Sequence, residues 1–163
     1  MKIVNRGPID EVAALGMPYP EEVVINHGAA LVIWGIRDER PTGDIDAATN
    51  LENNLYLEER LGFVALQMVV GTSSDGKERT VVSRRDEAGR FDIHRWDFSM
   101  YRWNREKRGR IYLPELGSRS MQDPATGIWV AHPELVRETM LETGRPQDEA
   151  VVPLIDDYLE ELS

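Results

Sequence analysis

Three aspartates carry the most specific chemistry this sequence offers. Asp44 and Asp46 flank a single isoleucine, and Asp92 stands beside Ile93 and His94. Side chains in an extended segment repeat every two residues, so Asp44 and Asp46 would leave one face of a strand. Two carboxylates held that close repel, and a cation between them relieves the repulsion. A third carboxylate, from the strand carrying Asp92, completes a set that can hold two magnesium ions roughly 3.5–4 Å apart. Ions so placed bind phosphate oxygens and neutralise the charge that builds as a phosphorus–oxygen bond breaks. On that reading Asp44 and Asp46 ligate metal, while Asp92 ligates it and acts as general base toward an acceptor hydroxyl. Plainer roles stay open: turn residues after Pro41-Thr42-Gly43 for the first two, and an ion pair with Arg90 or Arg95 for Asp92.

A glycine turn lies upstream of the acids. The apolar run Val23-Val24-Ile25 stops at Asn26-His27-Gly28, and the residues from Ala29 to Trp34 then read as a short apolar helix. Backbone N–H groups at a strand-to-helix turn can approach phosphates, which makes Gly28 and Ala29 candidate cofactor-binding positions. Arg37 is the cation placed to hold a triphosphate, with an ion pair to Asp38 or Glu39 as its alternative. His27, His94 and His132 are isolated histidines and are given no metal role. Thiol chemistry is excluded by the absence of cysteine, and no Gly-rich loop ends in Gly-Lys-Ser/Thr.

These groups need elements to hold them. Residues 8–16 open with proline and acids and predict a short helix, ended by Pro18 and Pro20. A buried strand is expected over residues 21–26, a helix over 28–35 and a second strand over 44–48. Thr49 or Asn50 can cap the next helix, with Leu51, Leu55 and Leu61 on one side and Gly62 as its stop. Residues 63–70 and 79–84 predict a hairpin around Ser74-Asp75-Gly76-Lys77. A turn at Glu87-Ala88-Gly89 leads into an alternating strand over residues 90–98. Residues 100–127 read as a basic knot, Arg102 to Arg110, and a Ser/Gly/Pro-rich loop, followed by a short edge strand at 128–130. A helix from His132 turns Leu135, Met140 and Leu141 inward and closes at Gly144, and residues 148–162 form a last amphipathic helix with an acidic outer side. The expected fold class is α/β or α+β, a mixed, mostly antiparallel sheet with helices packed on it and C-terminal helices.

Composition bounds the possibilities. At 163 residues the chain is expected to form one domain over 1–163, with its core at about 21–98 and a C-terminal helical part at about 130–163. Lack of cysteine fits a reducing compartment, no run approaches the roughly 18 apolar residues of a membrane span, and the N-terminus lacks the apolar core of a secretory signal. A cytoplasmic protein without a membrane partner is therefore expected. The net charge of -10 hides a split: residues 77–119 hold 12 basic and 7 acidic side chains, leaving -15 on the remainder. An acidic remainder argues against a surface coated for nucleic acid, while the basic middle suits a polyphosphate, a short RNA element or a solvated hairpin.

In order and spacing these residues resemble the minimal nucleotidyltransferases of the polymerase-beta-like superfamily. The family motif runs from a hydrophobic strand through Gly-Gly or Gly-Ser to an acid-x-acid pair, with a third acid on a later strand; here His27-Gly28-Ala29, Asp44-Ile45-Asp46 and Asp92 are similar. Gly28-Ala29-Ala30-Leu31, Gly35-Ile36-Arg37 and Phe91-Asp92-Ile93-His94 look like the branch holding lincosamide and aminoglycoside nucleotidyltransferases and abortive-infection toxins. Pro133-Glu134-Leu135 and Gly144-Arg145-Pro146-Gln147-Asp148 look like that branch's C-terminal helices, so the likeness runs from about residue 21 to residue 155. It implies Mg2+ as cofactor and ATP or another nucleoside triphosphate as donor. A nucleoside monophosphate would pass to a hydroxyl on a small molecule, a protein or a tRNA end. Departures from the pattern are Ala29 for Gly or Ser, Gly43 before the first acid, and Met140 and Gln147 where lysines are expected. They support a second expectation: a non-catalytic binding or regulatory protein on the same fold, such as a toxin–antitoxin component with a protein partner.

Overall fold

Six consecutive apolar residues, Ala29 to Trp34, form a helix with no polar side, and such a helix is stable only when it is enclosed. A computed structural model, describing residues 1–38, 44–61, 63–72, 78–86, 97–102 and 119–163, encloses it. Helix α2 (His27–Trp34) follows strand β1 (Val23–Asn26) directly, and helix α1 (Gly7–Ala13) packs against it. None of the six is more than 3 % exposed. The Trp34 indole N–H donates to the Ala131 carbonyl at 2.8 Å, so the bulkiest member is also satisfied.

Strand β2 (Asp44–Thr49) and helix α3 (Leu51–Leu61) come next, then strands β3 (Phe63–Thr72), β4 (Glu78–Asp86), β5 (Asp97–Arg102), β6 (Ser120–Gln122) and β7 (Trp129–Ala131). Helix α4 (Pro133–Thr143), the short α5 (Pro146–Glu149) and α6 (Val152–Leu162) complete the described chain. The strands form one mixed sheet in the order β3-β4-β5-β2-β1-β7-β6. Four of the six joins are antiparallel, and β1 with β7 and β2 with β5 are the parallel ones. This is the α+β class expected from the sequence. Helix α2 lies against β1, β2 and β7, and α4 packs on its far side with α6 behind it.

Several expectations are corrected in detail. The strand at residues 128–130 is β7, and it is interior, because β6 covers its outer side within a span read as loop. Three-residue strands hold too few alternations to register as a pattern. The single helix expected over 148–162 is two helices, with the break at Ala150 and Val151. Leu55 and Leu141, expected to face inward, are 39 % and 45 % exposed. Among the described side chains of α3, Asn53, Asn54 and Leu57 are fully buried, so two amides sit where apolar residues were expected. The turns at residues 74–77 and 87–89 lie outside the described residues. No described helix is long and apolar enough to cross a membrane.

Candidate functional site

The candidate site begins where β1 becomes α2 without a loop. Asn26 is still extended, with φ -133° and ψ -172°, and its side-chain oxygen accepts the His27 backbone N–H at 2.8 Å. His27 then adopts φ +53° and is the sole non-glycine residue in that region among those described. Left-handed backbone costs an ordinary residue about 1 kcal/mol or more and recurs at functional turns, although histidine tolerates it better than branched residues. The first N–H groups of a helix have no acceptor within it, so the Gly28-Ala29 backbone is the part of this turn suited to an anion.

The end of α2 sends the chain back to its beginning. Gly35, at φ +75°, closes the helix as its N–H bonds the Val32 carbonyl, and Ile36 N–H bonds the Leu31 carbonyl at 2.9 Å. Arg37 follows, and its guanidinium reaches the first turn: a Cβ built on Gly28 would lie 3.5 Å from Arg37 Nη1. Gly28 and Arg37, nine positions apart in the chain, therefore lie side by side. Ala29 is different. Its side chain is fully buried in the core, so its backbone is the only part that could face a phosphate.

Strand register assembles the acids. Asn26 on β1 is opposite Asp46 on β2, and Asp46 is in turn beside Ser99 on β5. One step along the same face, Asp44 is the register partner of Asp97. Neighbouring strands lie about 4.8 Å apart, so the two acidic positions in register are direct cross-strand neighbours. Ile25, Ile45 and Ala47 alternate with Asn26, Asp44 and Asp46 along the two strands and are buried in the core. Among the described residues no three His, Asp or Glu side chains are grouped to hold a metal, Asp44 and Asp97 being described by backbone and register alone. Oxygen donors of this kind suit Mg2+ or Ca2+.

Asp92 and His94 lie outside the described residues. Among the described residues the acidic position in register with Asp44 is Asp97, which sequence spacing does not single out. Its signal was present in the alternation of Asp97, Ser99 and Tyr101 with Phe98 and Met100.

The far end of β2 is fixed by buried polar groups. Thr49 Oγ1 donates to the Glu22 carbonyl at 2.9 Å, and the Asn50 amide donates to Glu22 Oε2 at 2.5 Å. Asn50 Oδ1 caps α3 by accepting the Asn53 N–H at 2.8 Å, while the Asn53 side chain bonds both Tyr19 backbone groups and Thr49 Oγ1. Most of these bonds join residues about thirty positions apart, so the cluster ties the segment just before β1 to the end of β2 and the start of α3.

No protein-family model and no curated protein matches this chain. The positions where lysines were expected are accounted for locally. Met140 is 2 % exposed and packs in the core, a place hostile to an ammonium group, and Gln147 is exposed on α5. Arg145, just before α5, holds the buried Asp148 with bonds of 2.7 and 3.2 Å.

Proposed function

We propose that the chain is a metal-dependent nucleotidyltransferase whose site is the junction of β1, α2, β2 and β5. The observation that carries this reading is the Asp44–Asp97 register beside the α2 turn. Two carboxylates at neighbouring positions, with Asp46 one step along, are costly unless a cation shares them, and Mg2+ would supply charge neutralisation at the phosphates. The residues' own parts follow from their placement. The Gly28-Ala29 backbone and Arg37 hold the outgoing phosphates of a nucleoside triphosphate. Asp97 accepts the proton of an acceptor hydroxyl as its oxygen bonds to the α-phosphorus and pyrophosphate departs with the cleaved bond. Asp44 and Asp46 are the positions for metal.

Binding of a fluorescent ATP analogue, with and without Mg2+, tests the site directly. Wild-type protein should bind only with the metal, and Asp44→Asn with Asp46→Asn should abolish binding. Asp97→Asn should abolish pyrophosphate release across a panel of hydroxyl acceptors, while Asp92→Asn leaves it within a few-fold. Loss with Asp92→Asn alone would return the third-acid role to that residue. Mg2+-dependent binding with no turnover on any acceptor would favour the regulatory reading, in which the fold serves a partner protein.

A further inference from the structure

The strand at one margin of the sheet has the composition of a strand from its middle. Strand β3 runs ten residues as FVALQMVVGT, with no charged residue and no proline. Continuous apolar runs of this kind are typical of strands buried on both faces, which usually lie inside a sheet. The sheet order nevertheless places β3 last, with β4 as its one strand neighbour among the described residues. A margin presents a row of backbone N–H and C=O groups to any extended chain, and natural edge strands are kept short or carry lysine or proline. The opposite margin obeys that rule, since β6 has three residues and Asp123 follows it. Interior β4, ERTVVSRRD, is charged at both ends, as edge strands usually are. Composition and position are exchanged between the two neighbours.

We propose that β3 pairs antiparallel with the β3 of a second copy across a two-fold axis, joining two sheets into one. A two-fold pairing sets a strand against its own sequence reversed, so a charge near the centre would meet its like. Ten residues without a charge satisfy that condition. The arrangement also closes on itself, because the margins left over are two β6 strands of three residues each. This inference is independent of the nucleotidyltransferase reading.

Gln67 provides the test: with the two-fold axis passing at this mid-strand position it stands in register with its own counterpart, and its β4 neighbour Ser83 is uncharged. Sedimentation of the wild-type chain should give twice 18.6 kDa. Gln67→Lys and Gln67→Glu should each sediment at the single-chain mass, and an equimolar mixture of the two should recover the doubled mass. A single-chain mass for the wild type overturns the proposal, as does a mass beyond two chains. So does a dimer that survives both substitutions, or a mixture of folded variants that stays monomeric. Hydrogen exchange on wild-type protein decides the matter if the variants fail to fold. Amides of residues 63–72 should lose protection on dilution, and protection unchanged by concentration rejects the β3 interface.

Discussion

At the scale of single residues, two side chains carry measurable consequences. His27 holds a left-handed backbone at the first turn of α2, so replacing it with glycine removes strain and raises stability by about 1 kcal/mol in chemical denaturation. His27→Val should cost at least as much, because a branched Cβ suits that conformation least. Asp123 is the second. Arg6 donates to both its oxygens at 2.9 Å and holds its pKa down to about 2, with burial opposing and the Thr126 hydroxyl assisting. A carboxylate whose folded pKa lies below its unfolded value binds fewer protons when folded. Its contribution is therefore full above about pH 5 and disappears as the pH falls toward 2. Half-exposed Arg6 is partly screened, so about 1–2 kcal/mol should be lost across that window. Asp123→Asn should flatten the acid limb of the stability curve and leave the slope near neutrality as it was. An unchanged acid limb would assign it to other carboxylates.

At the scale of elements, the legible parts were those whose signals are local. β1, α2 and their glycine stop could be read because an apolar run, a turn and a second apolar run follow one another within Val23 to Gly35. The same stop supports a prediction. Gly35→Ala places a Cβ at φ +75° and 3.1 Å from Val4 side-chain atoms, whereas Gly144→Ala, at φ +64°, meets nothing within 4 Å. Both substitutions carry the left-handed penalty of about 1 kcal/mol, and Gly35→Ala should exceed Gly144→Ala by roughly another 1 kcal/mol of crowding in urea titrations. Equal costs would mean that the N-terminal segment moves aside freely. β5 shows where local signals end. No glycine or proline separates Arg90 from Arg102, so no turn residue nearby states which part pairs with β2. That choice belongs to a parallel partner some fifty residues earlier, and pairing at that distance leaves no mark in a short window. α3 was misread for a related reason: Asn53 is buried because Tyr19 and Thr49 satisfy its amide, and those partners cannot be seen from the helix alone.

At the scale of the molecule, the candidate site and global stability are linked through charge. The chain carries -10, and the Asp44–Asp97 register concentrates part of that on neighbouring strands. Like charges opposite one another in a sheet destabilise it by up to about 1 kcal/mol. In chelator, Asp97→Asn should therefore be the more stable protein, with a Tm higher by about 2–4 °C for a chain of this size. Saturating Mg2+ and a nucleoside triphosphate should reverse that order. A ligand at one hundred times its Kd adds about 2.7 kcal/mol to a protein that binds it only when folded, and on the proposed reading the variant lacks a carboxylate that shares the metal. General screening of a negative chain would also raise Tm, but it acts on both proteins and is reproduced by KCl at equal ionic strength. A crossing of the two melting curves that KCl cannot mimic is thus the signature of a cation held between β2 and β5. Parallel shifts in both proteins would assign Mg2+ to the surface and leave the paired aspartates without a metal.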